Sequence, residues 1–281
     1  YPAEKRGDAE SPEVAAKRWT GMASLGLLGL PFASVYGGSD QGAVEVMLAA
    51  GEMGRVLGGG AYIPSIVLAG ALLDRAANDE QKKRWLPELI QGNRRIAAAL
   101  YEDGARYDWT QVATRAVRTP SGYSLSGCKT LVLHGDTARL FLVLARTSGS
   151  NATASGLSLF AVQANTPGVK IAGFSTLDNR RAAEVTFTNV DVATDRMLGA
   201  PGEAAPFVEA AVDAANAALC AEAVGAIDAL ITLTAEHLRT RQQFGQPLAK
   251  FQALQHRMAD AAIAREQLFS MACAAAMAVE A

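Results

Sequence analysis

Arg239, Arg241, Phe244, Gly245 and Pro247 lie within one short stretch late in the sequence, and no other stretch gathers as much potential chemistry. A basic helix end runs into an aromatic residue and a glycine. A short loop with Pro247 follows, and a new helix starts near Lys250. Glycine and proline this close together stop one helix and set the entry angle of the next. The expectation is an arginine and a phenylalanine held at a sharp helix–helix corner. A guanidinium there suits a pyrophosphate, and an aromatic edge suits a planar ring.

Other reactive residue types are scattered. His134, His237 and His256 share no motif. His256 is expected to pack in a helix, and His134 follows a predicted strand. Gly58-Gly59-Gly60 lacks the preceding strand and the following Lys-Ser/Thr of a phosphate loop, so it reads as a helix break. Lys82-Lys83-Arg84 reads as a solvated helix face. Glu102 is polar-flanked and loop-borne, which predicts a structural carboxylate. Cys128, Cys220 and Cys273 are far apart, with no CxxC and no Cys/His cluster, so disulfides and zinc are not expected and a reducing, cytoplasmic setting is. Asn151-Ala-Thr matches a glycosylation sequon, but no secretion signal accompanies it.

The whole chain has 281 residues, of which 50% are hydrophobic and 19% charged, enough to bury a sizeable core. A net charge of −2 gives no basic field and argues against nucleic acid as a partner. No apolar run of membrane-spanning length free of charges or glycine is apparent, so no membrane association is expected.

Three textures position these residues. Residues 1–94 are helical in pattern. Ser11-Pro12-Glu13 is an N-cap signal with Trp19, Met22 and Ala23 on one face. Gly37-Gly38-Ser39-Asp40 predicts a turn and cap before a second helix through about Val56. Residues 62–75 form an apolar, buried helix, and Asn78 caps another. Residues 95–200 are short Val-, Leu-, Phe- and Thr-rich runs between turn residues. Strands are predicted at 96–101, 111–118, 123–134, 139–146, 157–163, 168–174 and 183–190, as a barrel or sandwich. Residues 201–281 return to long alanine-rich helices, about 204–238 and 250–281. The fold class is therefore α+β: a helical domain, a β-barrel and a helical bundle.

With these elements in place the chain resembles the acyl-CoA dehydrogenase family. The resemblance rests on Leu25-Gly26-Leu27-Leu28-Gly29-Leu30-Pro31 with Tyr36-Gly37-Gly38, Asp79-Glu80-Gln81-Lys82-Lys83-Arg84-Trp85-Leu86-Pro87, Gly156-Leu157-Ser158-Leu159-Phe160, Asp195-Arg196-Met197-Leu198-Gly199 and, most specifically, Arg241-Gln-Gln-Phe244-Gly245. Glu102-Asp-Gly-Ala-Arg106-Tyr107-Asp108 and Cys220-Ala-Glu222-Ala-Val-Gly225 make it similar to the small-subunit type of pimeloyl-CoA dehydrogenase, a branch that partners a related subunit.

The resemblance implies a noncovalent FAD between subunits, an acyl-CoA substrate, and α,β-desaturation with electrons passed to an electron-transfer flavoprotein. It also implies a homodimer or tetramer, or a heteromer with a related subunit. Arg241 and Phe244 match residues that reach a neighbouring subunit's FAD, and Gln252 matches a further FAD contact. Ala98–Tyr101, with Leu100, and Leu131-Val132-Leu133 match the two backbone stretches along the flavin. Tyr107, Asp213 and Asn216 fall at acyl-CoA positions. Three of these depart from the family. Tyr107 replaces a serine hydroxyl, Leu133 replaces a threonine beside the flavin, and Asn216 replaces an arginine that supports the catalytic base.

That base is a glutamate held in one of two places. One lies beyond Ala281, in helices whose absence makes the C-terminal domain look incomplete, and the chain also opens abruptly at Tyr1-Pro-Ala-Glu-Lys-Arg6. The other matches Ala215, which cannot abstract a proton. Three readings follow: a trimmed chain, a non-catalytic or FAD-contributing subunit, or a substitute carboxylate. Glu222, two turns beyond Ala215, is the best substitute, although a structural role is the stronger expectation. Asp213 suits a ligand contact better than a base. A flavin-dependent monooxygenase on the same architecture is a further alternative.

Overall fold

A computed structural model describes residues 11–280. The opening stretch from Tyr1 to Arg6, and Ala281, lie outside the described residues. The chain divides into two compact units: residues 11–40 with Ala61–Val212, and Gln41–Gly60 with residues 213–280.

The first unit opens with helix α1 (Pro12–Ser24), capped as expected by Ser11, whose hydroxyl accepts from Val14 N. Trp19 and Met22 are buried, and Trp19 Nε1 donates to Gly92 O at 2.9 Å. The apolar run is a π-helix, Tyr62–Gly70, that continues into α3 (Ala71–Ala76); nearly all of it is buried. Ser65 joins it to the start of the sheet, its hydroxyl donating to Ile96 O at 2.6 Å and accepting from Ile96 N at 3.0 Å. Helix α4 (Asp79–Ile90) starts with a reciprocal capping box between Asn78 and Gln81.

The strands are β1 (Ile96–Ala99), β2 (Arg115–Thr119), β3 (Gly122–Leu133), β4 (Leu140–Arg146), β5 (Leu157–Gln163), β6 (Val169–Ser175), β7 (Arg181–Ala193) and β8 (Met197–Leu198). They form one mixed sheet ordered β6-β7-β3-β2-β4-β5-β8, with β1 parallel to β4. This corrects the barrel expectation. Among the described residues no ladder joins β6 to β8, and β8 is only two residues long. Alternation and turn residues specify strands, but closure depends on the pairing of the outermost strands, which no local pattern encodes. Phe141, Phe160, Phe187, Leu125 and Val185 form the sheet's core, with Tyr123 edge-on to Phe160 at 5.1 Å.

The second unit contains α2 (Ala43–Arg55), most of α5 (Ala205–Thr240) and α6 (Gln252–Glu280). Gly42, rather than Asp40, is the N-cap of α2; Glu45 accepts from Gly42 N at 2.9 Å. Asp40 instead accepts from Ser34 N, closing the preceding turn. Helices α2 and α5 cross at glycines. A methyl group at Gly54 would collide with the carbonyl of Glu222, and one at Gly225 with the carbonyl of Gly51. Asp228 of α5 ties in both neighbours. It takes a two-pronged bond from Arg265 of α6 (2.6 and 3.0 Å) and one from Arg55 of α2 (3.0 Å).

By length and composition alone, α5 and α6 are long and apolar enough to cross a membrane, although α5 is interrupted by Glu209, Asp213, Glu222, Gly225 and Asp228. The core helices of water-soluble proteins pass the same test. Here α5 buries a third of its most apolar window and engages Asp228 in ion pairs.

Candidate functional site

The first set of site residues sits where β1 ends. Leu100 is buried and Tyr101 is half-buried. Strand β3 runs alongside, and Thr130 N donates to Tyr101 O at 2.9 Å, so the two predicted backbone stretches are brought together. Opposite β7 the register of β3 slips between Lys129 and Val132. The extra residue bulges: Leu131 takes a left-handed φ of +48° and stays 47% exposed, whereas Val132 is buried and Leu133 half-buried. The outcome is an apolar ledge of Tyr101, Leu131 and Leu133 beside a paired backbone.

A buried ion pair supports this ledge. Lys129 is fully buried, and its ammonium donates to Leu100 O at 2.9 Å and to Glu102 Oε1 at 2.7 Å. Glu102, 9% exposed, also accepts from Ala113 N (2.7 Å) and Thr114 N (3.0 Å). Burial pushes the Glu102 carboxyl upward, but Lys129 and these hydrogen bonds outweigh it and hold the group below the ordinary carboxylate range. Burial pulls Lys129 down to about 8, with Glu102 opposing the shift. The structural role expected for Glu102 is what this geometry gives it.

Sequence reasoning missed Lys129. Its signal was the inward period of β3, in which Lys129 falls on the same side as buried Leu125. Arg146 was missed too. It closes the buried strand β4, and its guanidinium donates to the carbonyls of Val112, Thr110, Thr153, Asn151 and Ser155. Those bonds anchor the far end of the loop that carries Tyr107. Tyr107 itself is 91% exposed and lies away from the ledge's bonding network.

The second set lies in the other unit. Asp213 and Asn216 are exposed, one helical turn apart on α5. Ala215 is buried. Glu222 is buried at the α2 crossing, and a Cβ on Gly59 would lie 2.7 Å from its Oε1, so the carboxylate packs over the Gly58–Gly60 break.

The predicted corner between α5 and α6 is a two-residue β-hairpin. Gln242–Gln243 pairs antiparallel with Gln246–Pro247, and Phe244 (φ +54°) and Gly245 (φ +77°) form the turn. Two consecutive left-handed residues are what a tight hairpin demands, and phenylalanine is an uncommon choice for the first. Phe244 is 89% exposed and touches Phe251 edge-on, with ring centroids 6.1 Å apart. Arg241 and Gln252 are exposed, and the Arg241 guanidinium makes no ion pair among the described residues.

Two depressions in the first unit contain none of the ledge residues. One, of about 640 Å³, is lined by Glu102, Asp103, Thr114, Cys128, Thr130 and Glu184. Its acidic rim disfavours a phosphate-bearing ligand. The other, of about 580 Å³, is polar and mixed in charge, with Arg94, Arg139, Asp136 and Asn165.

A mixed sheet that follows one helical stretch of the chain and precedes another defines an α+β architecture. Profiles for the N-terminal, middle and C-terminal domains of acyl-CoA dehydrogenase match residues 1–93, 97–190 and 206–281. The chain belongs to the acyl-CoA dehydrogenase family, a family of flavoprotein oxidoreductases.

The short-chain-specific acyl-CoA dehydrogenase of Clostridium acetobutylicum is 28% identical over 250 residues, covering 87% of this chain and 66% of that protein. Among solved structures, the Tcur3481-Tcur3483 steroid ACAD is 31% identical with a TM-score of 0.82, covering 94% of this chain and 69% of that one. An FAD-dependent dehydrogenase is 26% identical with a TM-score of 0.85, covering 91% and 72%. The chain thus spans about two thirds of the length of its curated relatives.

Proposed function

We propose that this chain is part of an FAD-dependent acyl-CoA dehydrogenase that desaturates an acyl-CoA thioester between its α- and β-carbons. The observation that carries the reading is the ledge: a backbone pairing of Tyr101 with Thr130, capped by the outward bulge of Leu131. Apolar side chains beside paired peptide groups fit a flavin ring, and they fall at the two stretches that the family resemblance indicates. The exposed, unpaired Arg241 fits a pyrophosphate.

Leu100, Tyr101, Leu131 and Leu133 would hold FAD along its ring, with Arg241, Phe244 and Gln252 serving the FAD of a neighbouring subunit. When bound, FAD supplies the acceptor for hydride from the β-carbon. Tyr107 in the first unit, and Asp213 with Asn216 in the second, are each proposed as acyl-CoA contacts on the family resemblance. With Leu133 lacking a hydroxyl, peptide N–H groups are left as the donors toward the ring. Electrons would pass to an electron-transfer flavoprotein.

The α-proton needs a carboxylate. Glu222, packed over Gly59 in the helix crossing, serves structure better than proton transfer. The base would come from outside the described residues or from a related subunit. Buried Ala215 at a base position favours this second reading, a FAD-contributing subunit of a heteromer. The named relatives are dehydrogenases, which favours desaturation over oxygen insertion.

The test is optical. The purified protein should be yellow, and its flavin should bleach anaerobically with some member of an acyl-CoA panel. Persistent colour across the panel sinks the stand-alone dehydrogenase. Bleaching restored only by a co-purified related subunit establishes the heteromer.

A further inference from the structure

We infer that the buried Lys129–Glu102 pair is a positioning device for the flavin ledge, so that its integrity sets how FAD is held and tuned. This rests on the FAD reading above.

The geometry is specific. One ammonium bonds both the Leu100 carbonyl and the Glu102 carboxylate, at 2.9 and 2.7 Å. The carboxylate's two oxygens then take separate N–H groups, from Ala113 and Thr114. Lys129 belongs to β3, immediately before the residue that pairs with Tyr101 and two positions before the bulge. Three segments therefore meet at one charge: the end of β1, the bulged end of β3, and the strand entry at Ala113. A hydrophobic residue at 129 would fill the same space but could not fix the direction of the Leu100 carbonyl. Without that tie, the peptide between Leu100 and Tyr101 loses its fixed direction, although Thr130 N still holds the Tyr101 carbonyl, and the dipole of that peptide lies on the ring's edge in the FAD reading. Burial of both partners makes the pair insensitive to salt and intolerant of a half-measure: either charge alone would be stranded.

The experiment compares full-length wild type with Lys129→Met, and with the charge-free double variant E102Q/K129M should the single variant fail to fold. Each is reconstituted with FAD. Folding is checked by circular dichroism, FAD affinity by titration, and the visible flavin band and reduction potential are read at saturating FAD. Exchange of the Thr130 amide is followed without FAD. The expected result is a folded variant whose Thr130 amide exchanges at least about tenfold faster, whose FAD affinity falls about tenfold or more, and whose flavin band and potential shift even when saturated. A merely structural pair would leave the saturated band and potential unchanged. A folded variant with wild-type affinity, band and potential overturns the inference. Wild type that takes up no FAD overturns the flavin reading itself, and the positioning role with it; the wild-type titration alone distinguishes that failure from failure of the pair.

Discussion

The two units stabilise their site residues by opposite means. In the first, the ledge is held by buried charge: Lys129 and Glu102 share one network, and Arg146 gathers carbonyls at the far end of the neighbouring loop. In the second, α2 and α5 approach closely because Gly51, Gly54 and Gly225 remove side chains from the contact. Charge fixes direction as well as distance, since each hydrogen bond must aim at its partner. Missing side chains fix only distance. The ledge therefore specifies the orientation of peptide groups, whereas the glycine crossing specifies only how close two helices lie. The Arg241–Phe244 hairpin uses neither device. Its side chains have few partners in their own unit, which leaves them free to answer to a ligand or a neighbour.

The sharpest way to break this comparison is Glu102→Gln, which strands Lys129 without its counter-charge. A loss of about 3–5 kcal/mol is expected, read from urea unfolding midpoints. Adding Lys129→Met to that variant should recover much of the loss, because replacing both charges is far cheaper than stranding one. A single-variant loss below about 1 kcal/mol would mean that the pair is not what holds the ledge.

Acid tests the same contrast. The Glu102 carboxyl sits below its ordinary value of 4.5 in the folded state. Its contribution is therefore fully present above the unfolded value and is lost as pH falls through the lower, folded one. Wild type should lose this component on acidification below about pH 4.5, and E102Q/K129M should not. Parallel pH–stability curves for the two proteins would contradict the assignment.

A smaller effect is expected at the glycine crossing. Gly54→Ala forces a methyl group against the Glu222 carbonyl and should cost about 1–3 kcal/mol, with no dependence on pH. An unchanged thermal midpoint would show that the helices can separate without penalty.

The smallest effect belongs to the hairpin. Phe244→Gly removes a left-handed aromatic residue, a gain of about 1–2 kcal/mol, and also its edge contact with Phe251, a loss of about 0.5–1.5 kcal/mol. Stability should thus stay within about 1 kcal/mol of wild type, while FAD affinity of the assembled protein falls. Unchanged affinity would remove the hairpin from the site.

The sequence made much of this legible, though unevenly. Caps at Ser11 and Asn78 were readable because side chain and helix start are local partners. Strands β1 to β7 were readable from alternation and turn residues. The Phe244-Gly245 pair announced a break between helices, but its hairpin form depended on two successive left-handed residues, the first of which is not a residue type that usually signals them. Leu131 was read as an ordinary strand residue beside the flavin. Its outward bulge arises from a register mismatch with β7, fifty or so residues further along, and no window of local sequence contains both partners.

By itself, the sequence determined the main helices and strands β1 to β7, the family, and the chemistry available at Arg241 and Phe244, because these follow from residue type and near-neighbour spacing. Only the tertiary structure decided that the sheet stays open among the described residues, that Lys129 is buried while Lys83 is solvated, and that Glu102 is its counter-charge. Burial and pairing belong to the neighbours a residue meets in space, and for these residues the neighbours arrive from distant parts of the chain.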